Sequence, residues 1–326
     1  NKVIVFSAVV SALLWGVLAA NGFEQALSLT AALTLLIAIL WVTEALPIPV
    51  TSLIPFVAFP MAGVIDYKEA ASALGSHVIL LLMGAFMLSK ALEKSGVHRR
   101  IAVYMLRLCG ASSAKRLVLG FMLTSAVLSM WISNTATTLM LLPIAMAIIT
   151  SMNSPKLAAA LLLGIAYSAS LGGVGTPIGT PPNIIFMSVY QQTTGTELSF
   201  INWMMTGVPI VLIAIPIMAF WLTRKLSDMP DCDLPKAGDW RPAEKRVLIV
   251  FGIVALAWIF RPYWSVWTGM TLVSDSTIAI AGVVLMFLVP NGDKEKPDQL
   301  LDWKTTEAIP WGMLLLFAGG ICMAKA

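Results

Sequence analysis

LVLGFMLTSAVLSMW (117–131), ISNT (132–135) and ATTLMLLPIAMAIIT (136–150) run consecutively, two apolar stretches of 15 residues parted by a polar turn at Ser133-Asn134-Thr135. At 1.5 Å per residue each stretch makes a helix of only ~22 Å, short of a ~30 Å hydrocarbon core. The spacing predicts a helical hairpin over 117–151 that enters and leaves a membrane by one face, with its tip near mid-depth. Two short spans joined by a loop are the simpler alternative.

Outward from the hairpin, apolar runs of spanning length recur near 3–20, 28–45, 48–64, 78–95, 157–187, 202–223, 246–262, 275–290 and from 309 onward. The fold class they predict is an all-α polytopic membrane protein. Of the 326 residues 58% are hydrophobic and 12% charged, about half the charged fraction of a soluble domain. Lys2 ahead of an apolar run ending in Val17-Leu18-Ala19-Ala20 also fits a signal peptide, but a chain with many later spans rarely needs one.

Composition removes several function classes. The net charge of +4 comes without a basic helix or aromatic-basic stripe, so nucleic acid is not an expected partner. Cys109, Cys232 and Cys322 are far apart and form no metal-ligand spacing. His77 and His98 read as loop or interface residues. No Ser/His, paired-Asp or HExxH arrangement lies within the spans, so an enzyme is not expected.

Charge placement gives orientation. With the amino terminus inside and the hairpin re-entrant, the inside segments are 96–116, 151–156, 224–246 and 291–308. They hold the basic residues from Arg99 to Arg116, Lys156, those from Arg224 to Arg246, and Lys294, Lys296 and Lys304. The outside segments hold Lys68 and Arg261. This satisfies the positive-inside rule in a bacterial inner membrane.

The chain also matches itself. Leu80-Leu81-Leu82-Met83-Gly84 through Lys90-Ala91 aligns with Leu315-Leu316-Phe317-Ala318-Gly319 through Lys325-Ala326, and two apolar spans precede each copy. By the span count the second copy enters from the opposite side, the arrangement of inverted-repeat transporters. The expected organisation is a first helix outside the repeat (1–27) and a first repeat over 28–223. That repeat comprises scaffold helices (28–116), the hairpin (117–151), a broken helix (157–187) and a helix at 202–223. A cytoplasmic connector (224–245, with Pro230, Pro235 and Pro242 marking its stretch) leads to a second repeat, incomplete over 246–326. Lys90 and Lys325, equivalent in the repeat, are expected to snorkel, and Glu44 to serve as a helix-end charge.

Two polar interruptions sit where an apolar unit should have none. One is Ser129-Met-Trp-Ile-Ser133-Asn134-Thr135-Ala-Thr137. The other runs from Gly172-Gly173-Val-Gly175-Thr176-Pro177 to Gly179-Thr180-Pro181-Pro182-Asn183. Proline removes a donor and glycine tolerates unusual dihedrals, so carbonyls are freed that hydrocarbon cannot satisfy. A hard cation such as sodium takes oxygen ligands. Ser129 and Ser133, four apart and so on one helical face, can supply hydroxyls, with Asn134 closing the site from the turn and carbonyls near Gly179 facing it. Helix amino termini expected after Thr135 and after Pro182 offer free N–H groups to an anion. Between Arg116 and Arg224 only Lys156 and Glu197 are charged, both expected at the surface. With no buried carboxylate to carry a proton, sodium coupling is favoured. Such residues also serve helix packing, but two interruptions, each at the midpoint of an apolar unit, favour a binding site.

These residues resemble the divalent-anion/sodium symporter family, sodium-coupled carriers of dicarboxylates, citrate and sulfate. The resemblance is carried by Thr43-Glu44-Ala-Leu-Pro-Ile-Pro-Val-Thr51, Ser133-Asn134-Thr135 and Gly179-Thr180-Pro181-Pro182-Asn183, and runs along nearly the whole chain. It implies a homodimer in a lipid bilayer whose transport domain moves as an elevator. It also implies sodium at Ser129, Ser133, Asn134 and Gly179, and a C4 dicarboxylate such as succinate at Ser133, Asn134 and Thr135 with Thr180 and Pro181 nearby. Citrate, sulfate or an oxyanion, proton coupling, and exchange are the alternatives. Family members carry a second Ser-Asn-Thr hairpin and a second broken helix, which a longer parent sequence is expected to supply beyond Ala326.

Overall fold

The computed structural model describes residues 2–110, 112–152, 154–226 and 238–326. Cys232, Pro230, Pro235 and Lys236 of the expected connector lie outside the described residues. Among the described residues the chain forms sixteen α-helices and no strand, only an isolated bridge between Pro290 and Gln299. In order they are α1 (Lys2–Ala20), α2 (Gln25–Thr43), α3 (Ile48–Thr51), α4 (Ile54–Met61), α5 (Tyr67–Leu74), α6 (His77–Ser95), α7 (Val97–Cys109) and α8 (Ala114–Ser129). Then follow α9 (Asn134–Met152), α10 (Pro155–Gly172), α11 (Pro181–Thr194), α12 (Phe200–Thr223), α13 (Pro242–Trp267), α14 (Asp275–Leu288), α15 (Trp303–Glu307) and α16 (Trp311–Lys325).

Among the described residues seven helical stretches are long and apolar enough to cross a membrane: Lys2–Ala20, Gln25–Thr43, Tyr67–Ser95, Asn134–Met152, Pro155–Gly175, Phe200–Thr223 and Pro242–Trp267. Large apolar side chains such as Val42, Leu212 and Phe220 stand exposed on them, as a hydrocarbon solvent allows and water does not. This is an integral membrane protein. One expectation changes: α9, with 19 residues, is itself long enough to span. Ser133 accepts a hydrogen bond from Ala136 N (3.2 Å), which draws Asn134 and Thr135 into the helix and lengthens it past the 15-residue apolar run. Helix length therefore does not by itself mark this arm as re-entrant.

The chain divides into two compact units, residues 1–83 with 310–326, and residues 84–309. In the first, α1 lies on α2 with Ser7, Ser11, Ser28 and Ala32 buried. Ile37, Phe59, Ala70, Ala73 and Cys322 form the core where α2, α4, α5 and α16 meet. Glu44 ends α2 in the left-handed region (φ 47°) and is exposed, a helix-end residue as expected. In the second unit α8 and α10 form the central crossing, flanked by α9 and α12, with α13 packed on α14.

The two glycines aligned by the internal match both stand in close helix contacts. A Cβ on Gly84 would lie 2.7 Å from Ala279 of α14, and one on the aligned Gly319 would lie 2.4 Å from the Ser52 carbonyl between α3 and α4. Of the aligned lysines, Lys90 pairs with Glu93 (2.6 Å) and Lys325 donates to Ser72.

The amphipathic helix α7 follows α6 after Gly96 (φ 76°) and is not among the span-length helices. Its buried Arg100 bonds Glu244 and the carbonyls of Gly238 and Asp239, and lies 4.8 Å from the Trp240 ring. The described end of the connector is fastened there. On the same helix, His98 turns Nδ1 toward the Leu92 carbonyl (3.1 Å), and burial, the dominant influence, pushes its imidazole below the usual histidine range. The folded state thus favours the neutral ring. His98 contributes stability that is present above the unfolded value near pH 6.5 and is lost as pH falls through the lower folded value. Thermal unfolding of wild type and His98→Gln at about pH 7.5 and 5.5 checks this. The wild type loses more melting temperature on acidification than the variant.

Candidate functional site

Two helix ends build the site. α8 stops at Ser129, and Trp131 N and Ile132 N both bond the Leu128 carbonyl before α9 starts at Asn134. α10 stops at Gly172. One 3-10 turn (Gly173–Gly175) and the stretch 176–180 follow, and α11 starts at Pro181. Proline at the first helical position needs no N–H partner, so the chain restarts there at little cost.

The crossing of α8 and α10 brings the two ends together. Ser125 Oγ donates to Ile165 O (2.9 Å) and Ser129 Oγ reaches Ala169 O (2.6 Å), rungs four residues apart on each helix. A Cβ on Gly172 would stand 2.3 Å from Ala126 O, so only glycine lets the backbones approach this closely. The break is cross-tied as well. Asn183 Nδ2 donates to the carbonyls of Gly173 and Thr176 (both 2.8 Å), and Thr176 Oγ1 donates to Met130 O. Trp203 Nε1 of α12 donates to Val174 O (2.8 Å), and a Cβ on Gly207 would lie 2.5 Å from that oxygen.

At the junction oxygens converge. The buried Ser129 Oγ lies 2.5 Å from Asn134 Oδ1 and 2.6 Å from Ala169 O. One hydroxyl proton serves two acceptors, leaving surplus lone pairs. Opposite, a Cβ on Gly173 would sit 3.1 Å from Asn134 Oδ1 and 3.2 Å from Gly179 O. A small space at Gly173 is therefore faced by a side-chain amide oxygen and a freed carbonyl. This donor set suits a hard cation. Thr137 Oγ1 and Ser168 Oγ, buried on α9 and α10, have no hydrogen-bond partner among the described residues. Lys156 and Glu197, the charged residues between 117 and 223, are both exposed. The oxygens that converge at the junction are all neutral.

The expected set divides. Ser129, Asn134, Gly179 and Thr180 are brought together, Thr180 preceding α11 with Pro181 as its first residue. Ser133 does not share a helical face with Ser129, because α8 has ended. It is exposed and caps α9, and Thr135 is also exposed. Helices α9 and α11 start at Asn134 and Pro181, slightly earlier than expected. Sequence reasoning passed over Ala169, whose role is a carbonyl that no side chain advertises, and Trp203 and Gly207, which lie outside both polar interruptions. Near the first turns of α9, Ala136, Leu139 and Met140 help line a 770 Å³ cavity shared with Lys94, Arg99, Arg100 and Arg241. Glu93 and Glu244 line the same cavity, and Glu244 pairs with both Arg100 and Arg241.

A profile of the family described as citrate transporter matches residues 38–326. The chain is 38% identical over 317 residues to the sodium-dependent dicarboxylate transporter SdcS of Staphylococcus saprophyticus, with 90% of this chain and 61% of that protein covered. It is 37% identical over 317 residues to the protein of the same name from Staphylococcus aureus, with the same coverage. The chain thus spans about 61% of the length of these relatives.

Proposed function

The chain belongs to the citrate transporter family, carriers of the divalent-anion/sodium symporter type and not enzymes, and on that premise we propose that the protein couples sodium to the movement of a small divalent anion. The anion that fits best is a C4 dicarboxylate such as succinate. The observation that carries the reading is the oxygen-lined junction of Ser129, Asn134, Ala169 and Gly179 in a stretch whose two charged residues are both exposed. A bound cation would supply the positive charge that the site itself lacks. A carboxylate would then find the amino-terminal N–H groups of α9 and α11 beside that charge. Ser133, Thr135, Thr180 and Pro181 lie on those two ends and are the residues proposed to meet it. Names of relatives that specify sodium and dicarboxylate support this reading.

The access change is proposed to be an elevator motion of the body that carries the hairpin and the broken helix, in a homodimer within a bacterial inner membrane. The amino terminus is placed inside, on the charge asymmetry of the loops. Radiolabelled succinate uptake into proteoliposomes holding the complete gene product, with sodium outside or replaced by choline, tests the core of the reading. Uptake that requires sodium is expected; equal uptake in choline rejects sodium coupling. The family's description favours citrate as a second reading. Unlabelled citrate then outcompetes unlabelled succinate at equal concentration, whereas a C4 carrier shows the reverse order.

A further inference from the structure

Glu197 and Arg261 are each rare in their surroundings, the one acidic residue between Arg116 and Arg224 and one of the two basic residues in segments placed outside. In the structure they meet. Arg261 Nη2 lies 2.5 Å from Glu197 Oε1, while its Nε lies 2.7 Å from Asp275 Oδ1. The two carboxylates differ in character. The Asp275 side chain is 9% exposed and opens α14, and its own carbonyl accepts from Trp258 Nε1 of α13 (2.9 Å). The Glu197 side chain is 52% exposed, in the link between α11 and α12.

The ends of this triad belong to different helix groups of the unit 84–309. The link bearing Glu197 is tied to the helix break on both sides: α11 leaves the break directly, and α12 holds Val174 through Trp203 and the close approach at Gly207. Arg261 and Asp275 belong to the α13–α14 pair. Among the described residues, Glu197–Arg261 is the one hydrogen-bonded or ionic link between 114–224 and 242–309. The rest of that seam includes aromatic contacts, Trp131 edge-on to Phe251 (5.5 Å) and Phe200 stacked on Trp258 (5.2 Å). These aromatic pairs contribute beyond the area they bury, whereas the ion pair is the contact of this seam that salt screens.

We infer that Glu197–Arg261 is a state-specific latch between the site-bearing helices and the α13–α14 pair within the unit 84–309, with Arg261 and Glu197 acting as positioning residues for the transport cycle. The inference rests on the carrier reading above. Asp275 keeps Arg261 paired whichever state is occupied, so releasing Glu197 strands no buried charge. An exposed pair of this kind is weak enough to be broken in each cycle.

The test is sodium-driven succinate uptake by the complete protein in proteoliposomes, for wild type, Glu197→Gln and Glu197→Lys. Choline chloride is raised equally on both sides, and melting temperatures are measured in parallel. If leaving the latched state limits turnover, Glu197→Gln raises the maximal rate about 2- to 5-fold with the sodium requirement kept, and Glu197→Lys raises it at least as much. Wild-type uptake accelerates with choline chloride as the pair is screened, and Glu197→Gln loses that response. A rate unchanged or lowered in Glu197→Gln, or a salt response equal to that of wild type, overturns the latch and leaves the carrier reading standing. A purely structural pair would lower melting temperature and rate together, which also overturns it. Absence of sodium-driven uptake by wild type removes the carrier reading itself, and the latch with it.

Discussion

Asn134→Ala raises the sodium concentration needed for uptake by about 100-fold or more and leaves the protein folded. The amide oxygen of Asn134 faces Ser129 Oγ on one side and the Gly173 space on the other, so its loss removes a side-chain oxygen that faces both halves of the junction. The junction oxygens themselves are neutral, and Lys156 and Glu197 of the same stretch are both exposed. Removing a positioned group around a metal costs about 10–100-fold in affinity. A direct ligand in a site of few neutral oxygens should fall at or beyond the upper end of that range. The fold is spared because Ser129 Oγ keeps Ala169 O as its acceptor, so no buried donor is orphaned and the stability change stays within about 1 kcal/mol. The measurement is the sodium concentration giving half-maximal uptake, with melting temperature as the control. An unchanged half-saturation would remove Asn134 from the ion site. Asn134→Asp separates the two ligands: it keeps an oxygen for the cation and adds a negative charge where a dianion must approach. Sodium alone should then still raise the melting temperature of the variant, while succinate no longer adds to that rise.

The two breaks were legible in the sequence because hydrocarbon penalises them. Ser133-Asn134-Thr135 and Gly179-Thr180-Pro181-Pro182-Asn183 stand out where every neighbour is apolar, and the structure ends or starts helices at both. The roles within the breaks were less legible, because they depend on where each helix stops. A four-residue spacing put Ser129 and Ser133 on one face only if α8 continued. Instead Trp131 N and Ile132 N both turn back to Leu128 O, and Thr176 takes the Met130 carbonyl from across the junction. That tertiary bond has no local trace. Nor has the length of α9, because the hydroxyl that caps it, Ser133, is the same residue that read as part of a polar tip. The pairing of Glu197 with Arg261 was out of reach for a different reason: each charge was visible, but 64 residues separate them.

The Gly172→Ala variant should fail to assemble the site, with the largest stability loss of any single methyl added to this chain's central crossing. The new Cβ would lie 2.3 Å from Ala126 O, 2.5 Å from its Cα and 2.7 Å from its carbonyl carbon. All three are backbone atoms of α8, so no side chain can rotate aside and the two helices must separate. Overpacking costs about 1–3 kcal/mol, and here the upper end applies. Separation also stretches the Ser125–Ile165 and Ser129–Ala169 rungs, worth about 0.6 kcal/mol each in a membrane protein. Two other glycines calibrate the effect. At Gly164 the added methyl would meet Met122 Cγ at 3.0 Å, part of a flexible side chain that can yield. At Gly252, inside α13, nothing lies within 4 Å, so alanine gains up to about 1 kcal/mol of helix propensity. Melting temperatures should therefore rank Gly252→Ala at or above wild type, Gly164→Ala close below it and Gly172→Ala far below. Gly172→Ala should also lose sodium-dependent uptake, because the rung it stretches is the one holding Ser129 beside Asn134. If Gly172→Ala melts with Gly252→Ala, the backbones of α8 and α10 do not touch at Ala126, and the junction of Ser129, Asn134 and Gly179 loses the contact that assembles it.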